Sequence, residues 1–210
     1  MTDSKIIRWG IVGPGRIASL LIKDFPYVDG AEALAVASRS TERAEAFATE
    51  HGLARAYGSY HEIMNDPDVD VLYIATPHPQ HHAIALAAIA AGKAVLIEKT
   101  FTATVAGAEE IIDAAKRDQI FAMEAMWTRF QPAIVAARAL IDDGAIGEVR
   151  QLQADLGVDR PYNPADRLFD PAQGGGAMLD LGGAETLDLG RREGRLGSVG
   201  AGHFCLSPRL

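Results

Sequence analysis

Cysteine is nearly missing: Cys205 stands alone, so no disulfide can form within the chain and the fold has to be held by packing. Basic tracts are missing as well. The 28 Asp and Glu outnumber 20 Lys and Arg, a formal charge of −8, which argues against a nucleic-acid or anionic-membrane surface. No apolar run reaches the ~20 residues that cross a bilayer as a helix. The longest candidate, HHAIALAAIAAGKAVLIEK, is interrupted by Gly92 and Lys93. The opening MTDSKIIRWGIV flanks a short apolar run with charges on both sides, unlike a secretory signal, and a cytoplasmic location is the expectation. Internal repeats are not visible either. What remains is a 210-residue chain, 48% hydrophobic, long enough for one ordinary domain and part of another.

From Ile6 to about Ala122, short apolar runs rich in strand formers alternate with Ala-rich helical stretches, the pattern of a parallel sheet covered by helices. IIRWGIVG, EALAVASR, VDVLYIATP, AVLIEK and IFAMEA are the predicted strands. RIASLLIKDF, STERAEAFATEHG, YHEIMNDPD, HHAIALAAIAAG and TVAGAEEIIDAAKRD are the predicted crossover helices. The fold class is α/β, an N-terminal Rossmann doubly wound sheet over residues 1–123, followed by an incomplete α+β domain over 124–182. That second part starts with a helix in QPAIVAARALIDDGAIG and a strand in EVRQLQADLG. Residues 183–210 carry no helical or strand period and are expected to be disordered.

WGIVGPGRIA places Gly13, Gly15 and Ala18 directly after a strand and at the head of a helix. Gly13 permits the tight turn, Gly15 admits a pyrophosphate close to the backbone, and Ala18 allows close helix packing, with Arg16 and Ile17 between them. A dinucleotide site is the functional reading; a structural glycine turn is the alternative. A carboxylate at the end of the second strand would select NAD by bonding the ribose and repelling a 2′-phosphate. None is there. Ser38, Arg39 and Arg43 offer a hydroxyl and two guanidinium groups, which suits a phosphate dianion and favours NADP over NAD, unless the arginines are simply solvated.

YIATPHPQHH and LIEKTF bring Thr76, Pro77, His78, Glu98 and Lys99 to the carboxyl edge of the sheet, where ligands bind in this architecture. His78, His81 and His82 could suggest a metal, but a zinc site usually needs more ligands, and no metal is assigned. Together with GPGRIA, EAMWTRFQPA and GGGAMLDLG, these stretches resemble the Gfo/Idh/MocA oxidoreductases over about residues 5 to 182. The resemblance implies a Rossmann domain and a second domain on a large open sheet that supplies substrate contacts and a homo-oligomer interface. It implies a small-molecule substrate, a sugar or cyclic diol, exchanging hydride with NADP. Lys99 falls beside the nicotinamide and the reacting carbon, and Glu98 near the nicotinamide ribose. Thr76, Pro77 and His78 then line the cofactor cleft, and His81 orders the loop. A lysine near a cationic ring and partly removed from water exchanges protons more readily. A solvated strand-end lysine is the competing reading. Trp127, Arg129 and Phe130 are implied substrate-cleft walls, with packing an equal alternative for the two aromatics.

Two departures stand out. Thr100 occupies a position that is usually proline, and because cis peptide bonds are a proline phenomenon, a trans bond is expected after Lys99. In the family an aspartate and, four residues on, a histidine or tyrosine share one helical face; here Asp180 matches the first and Ala184 replaces the second. Family-like text stops at Gly182, as after a shifted reading frame or a truncation, leaving most of the oligomer interface unsupplied. The main expectation is an NADP-dependent dehydrogenase with Lys99 and Asp180 as catalytic residues. An impaired NADP-binding remnant is the alternative, and an NADP sensor using the tail a weaker third.

Overall fold

Alternation of side chains along each strand puts Ile11, Val36 and Tyr73 on one face of the sheet and Val12, Ala37, Leu72 and Ile74 on the other, all of them buried. A strand buried on both faces needs helices on both sides, and the computed structural model, which describes residues 6–150 and 161–176, supplies them. Six parallel strands are ordered β3-β2-β1-β4-β5-β6: β1 (Ile7–Val12), β2 (Ala31–Ala37), β3 (Arg55–Tyr57), β4 (Val71–Ile74), β5 (Ala94–Ile97) and β6 (Ala122–Glu124). Strand order reverses between β1 and β4, which opens a crevice at their carboxyl ends. Helices α1 (Arg16–Asp24) and α2 (Thr41–His51) cover the Ile11 face through Ala18, Ile22, Ala44 and Phe47. The other face is covered by α3 (Tyr60–Met64), α4 (His78–Ala90) and α5 (Val105–Asp118) through Ile63, Ile84, Ile89 and Ile111.

The chain divides into two compact units, meeting in sequence between Ala125 and Met126. In the second unit, α6 (Pro132–Asp142) begins at the proline that suits a first helical turn. Its Val135 and Leu140 are exposed. Most of the strand expected in EVRQLQADLG, and the tail expected to be disordered, lie outside the described residues. Among the described residues no helix is long and apolar enough to cross a membrane.

Two differences from the sequence reading have plain causes. β3 was not anticipated, because three residues including Arg55 show no apolar run; it pairs with Ala35–Ala37 at the sheet edge. Helix α4 starts at His78 rather than His81, since Pro79 falls in the first turn, where its missing N–H has no helical partner to lose.

At the opposite end of the strands from the crevice, a polar network closes the sheet. Arg55 donates through Nη1 to both Asp66 oxygens at 2.7 Å and through Nη2 to Asp68 at 2.6 Å, while the Tyr57 hydroxyl donates to Asp66 at 2.7 Å. The Asp66 side chain is only 3% exposed. Burial raises its pKa, but the bonds from Arg55, the Asp68 N–H and Tyr57 outweigh that and hold it below the usual carboxylate value. A depressed folded pKa means stability present above the unfolded pKa and lost as pH falls through the folded one. Asp66→Ala is therefore expected to cost about 2–3 kcal/mol at neutral pH, discounted for an Arg55 that rehydrates. Urea unfolding at neutral pH and below about pH 4 checks this: the gap between the two proteins should narrow in acid.

Candidate active site at the carboxyl edge of the sheet

The glycine turn joins β1 to α1. Gly13 has φ 95°, open to glycine but rare for other residues, and its N–H donates to the Ala37 carbonyl at 3.0 Å. A Cβ there would lie 2.9 Å from Thr76 Cγ2 and 3.1 Å from the Thr76 backbone nitrogen, so this turn and the end of β4 fit only without a side chain. Gly15 differs. It is extended, with φ −173°, and a Cβ on it would meet nothing within 4 Å. It faces open volume at the head of α1, whose N-terminus has no side-chain cap, so leading N–H groups of the helix are available to an anion. Arg16 and Ile17 are exposed on that first turn, whereas Ala18 is fully buried against the sheet. Pro14, Gly15, Ser19, Arg43, Phe47 and Glu50 line a shallow, solvent-open groove beside it.

Thr76 gives a direct test of fit. Its residue is 6% exposed, and its hydroxyl oxygen is buried with no hydrogen-bond partner among the described residues. A buried hydroxyl left unbonded is costly, and a ligand polar group in the crevice would satisfy it. The bare turn, the uncapped helix and this hydroxyl fit a dinucleotide. At the end of β2, Ser38 is buried and its oxygen accepts the Ser40 N–H at 3.3 Å. Arg39 is exposed, and Arg43 reaches back over the glycine turn, its Nη2 3.5 Å from the Pro14 carbonyl. The serine is thus recessed, and both arginines are exposed.

Around β4 and β5 the polar groups are interlocked. The Tyr73 hydroxyl donates to Glu98 Oε1 at 2.5 Å, and the Lys99 N–H donates to Glu98 Oε2 at 3.2 Å. His81 is fully buried, with Nδ1 2.9 Å from the Thr100 carbonyl and Nε2 2.7 Å from the Thr76 carbonyl. Both carbonyls are acceptors, so a neutral ring donates to one and an imidazolium to both. His78 is buried on the first turn of α4, its ring edge-on to His81, with Pro77 as the N-cap. His82 points elsewhere, pairing with Glu110 at 2.8 Å. The Lys99–Thr100 peptide bond is cis, contrary to the expectation of trans drawn from Thr100. Tertiary contacts override the local preference here: the Thr100 carbonyl faces His81, and the Phe101 N–H donates to Glu124 at 2.8 Å.

Burial raises the Glu98 pKa, opposed by the Tyr73 hydroxyl, the Lys99 N–H and the Lys99 charge, and assisted by the nearby Glu124 charge. Burial raises Glu124 too, opposed by the Phe101 N–H. Tyr73 is raised well above the ordinary phenol by burial and by the Glu98 charge beside it, so it stays a donor. Glu98, with elevated proton affinity, and Lys99 thus adjoin at the end of β5, a pair that can hold and pass protons, while Glu124 at the end of β6 accepts the Phe101 N–H. Sequence reasoning did not single out Tyr73 or Glu124. Glu124 could have been found, since it ends β6, the strand paired with β5.

In the second unit, Trp127, Arg129 and Phe130 are all exposed. Asp180 and Ala184 lie outside the described residues.

Comparison with known proteins agrees with this geometry. Residues 7–125 match the model of an oxidoreductase family with an NAD-binding Rossmann fold, and residues 134–183 match the GFO/IDH/MocA C-terminal domain. Trans-1,2-dihydrobenzene-1,2-diol dehydrogenase from Homo sapiens is 42% identical over 179 residues, covering 84% of this chain and 53% of that protein. The Mus musculus enzyme of that name is 43% identical over 179 residues, with 84% and 53% covered. The chain therefore spans about half the length of the curated relatives it matches. Among solved structures, an NAD-binding oxidoreductase from Klebsiella pneumoniae superposes with TM-score 0.77 at 30% identity, over 87% of this chain and 51% of the other. A 3-ketoreductase from Actinomadura kijaniata, in complex with NADP and TDP-benzene, gives TM-score 0.75 at 30% identity, over 84% and 54%.

Proposed function

The chain belongs to the Gfo/Idh/MocA family of oxidoreductases, and from that premise we propose that it serves an NADP-dependent dehydrogenase acting on a secondary alcohol of a cyclic diol or sugar. The observation that carries the reading is the bare glycine turn at the uncapped head of α1, set at the same carboxyl edge of the sheet as the end of β5 that leads into Lys99. The relatives named for a dihydrodiol support the substrate class, and the neighbour holding NADP supports the cofactor.

The glycine turn and the head of α1 hold the pyrophosphate, with Arg16 and Ile17 flanking it; Ser38, Arg39 and Arg43 hold the 2′-phosphate; Thr76, Pro77 and His78 line the cleft, with His81 tying its floor to the Thr100 turn. NADP, when bound, supplies the hydride acceptor. Lys99 takes or returns the proton of the reacting hydroxyl. Glu98, fixed by Tyr73, orients the Lys99 backbone and offers its remaining lone pairs to the nicotinamide ribose. Trp127, Arg129 and Phe130 contact substrate, and Asp180 assists the proton transfer. Cytoplasmic residence and assembly with further copies of the chain go with this reading.

A second reading is favoured by Ala184, which has no titratable group where the family carries one: a chain that binds NADP with little turnover. Mixing the purified protein with NADP and trans-dihydrobenzenediol or an aldose, and following reduced-nucleotide absorbance, separates the two. Substrate-dependent reduction supports the dehydrogenase; nucleotide binding without it supports the second. Arg39→Ala is expected to weaken NADP by about 10–100-fold, as for a lost charge-assisted bond, and NAD by no more than about threefold. Titration calorimetry with both nucleotides checks this, and equal losses would remove the 2′-phosphate assignment.

A further inference from the structure

The backbone on both sides of Lys99 is held from other parts of the sheet. Before it, Glu98 accepts the Lys99 N–H and is itself held by Tyr73. After it, the Thr100 carbonyl faces His81, and the Phe101 N–H donates to Glu124 Oε1 at 2.8 Å. These two later contacts are not equivalent. The His81 ring lies between two carbonyls and, when neutral, can donate to only one of them. A carboxyl group at Glu124 keeps an acceptor oxygen in either protonation state, so its bond to Phe101 does not depend on how that ring is charged.

Glu124 is also a costly choice for so small a task. It is half-buried, and its charge is felt by Glu98, so two carboxyls are drawn together at the end of β5 and β6. Accepting one N–H could be done by a neutral side chain without that repulsion. Of the two carboxyls, Glu98 is the one on which the Lys99 charge acts. The amine sits at the end of a flexible four-carbon stem, so its place in the crevice depends on where the backbone turn directs the stem.

We propose that Glu124 is a positioning residue for Lys99: its carboxyl oxygen fixes the 99–101 turn, and through that turn the Lys99 amine at the reacting end of the crevice. The proposal rests on the reading of Lys99 as the proton carrier. Because a misplacement of about 1 Å costs up to ~100-fold in rate, Glu124→Ala should lower kcat by about 10–100-fold with NADPH affinity within about threefold of wild type. Glu124→Gln keeps an oxygen in the same place and should restore kcat to within about threefold.

The test uses the full 210-residue chain. Lysines are reductively dimethylated with ¹³C, and the Lys99 resonance, identified by its loss in Lys99→Arg, is followed with NADPH present. It is expected to move in Glu124→Ala and return in Glu124→Gln. If Glu124→Ala does not fold by circular dichroism, Glu124→Asp, shorter by one methylene, takes its place under the same criteria. A chain in which neither substrate reduces NADP overturns the dehydrogenase reading, and the resonance alone then decides on Glu124. Wild-type kcat and resonance in the Ala variant, or a Gln variant as impaired as Ala, overturns the positioning role.

Discussion

Lys99→Met should lower turnover by about 10²–10⁴-fold, the range for loss of a general acid or base, while NADPH affinity stays within about threefold. Methionine keeps the unbranched stem and removes the amine, so packing beside β5 is disturbed little. The backbone N–H of residue 99 remains available to Glu98, and the turn beyond it still has Glu124 and His81. Lys99→Arg sharpens the result. Arginine keeps a positive charge but does not give up its proton near neutral pH, so a proton-carrying role predicts loss in both variants. Arginine at near wild-type rate would show that charge alone is needed. Steady-state kinetics with NADPH titrated by fluorescence provide both numbers, and a methionine variant with unchanged turnover would remove Lys99 from the chemistry.

The parts of this site that were legible in the sequence are those set by local rules. A glycine at φ 95° between a strand and a helix announces itself, because few other residues adopt that backbone. Buried parallel strands such as β4, VLYI, read as apolar runs with a breaker behind them. The contacts that brace Glu98 and the turn after Lys99 obey no local rule. Tyr73 lies in mid-strand, where its aromatic ring satisfies the pattern and hides the role of its hydroxyl, which reaches Glu98 at a separation of 25 residues. Glu124 reaches Phe101 across 23 residues, and only the register of β5 with β6 makes that possible. Thr100 points the same way. Its local preference was for trans, and the tertiary surroundings decided otherwise. The same holds for β3, whose Arg55 looks like a surface residue until Asp66 and Asp68 are brought beneath it.

The two glycines of the turn should separate fold from ligand. Gly13→Val is expected to abolish measurable nucleotide binding and to destabilise the first unit by about 2–6 kcal/mol, the sum of a forced positive φ and an overpacked contact. Relief is blocked, because the atoms in the way include the Thr76 backbone nitrogen, 3.1 Å from the new Cβ, and Ala75 next to it is tied to Val12 through an N–H···O bond of 2.9 Å. Gly15→Ala meets neither obstacle. Its backbone is extended and its Cβ would lie in open space, so Tm should match wild type within a degree or so. Yet that open space is where a pyrophosphate would approach the backbone, and the added methyl should weaken NADPH by about tenfold or more. Thermal unfolding and fluorescence titration of both variants decide the matter. A Gly15→Ala protein that keeps both stability and affinity would mean that the open volume at the head of α1 is not where the phosphates sit.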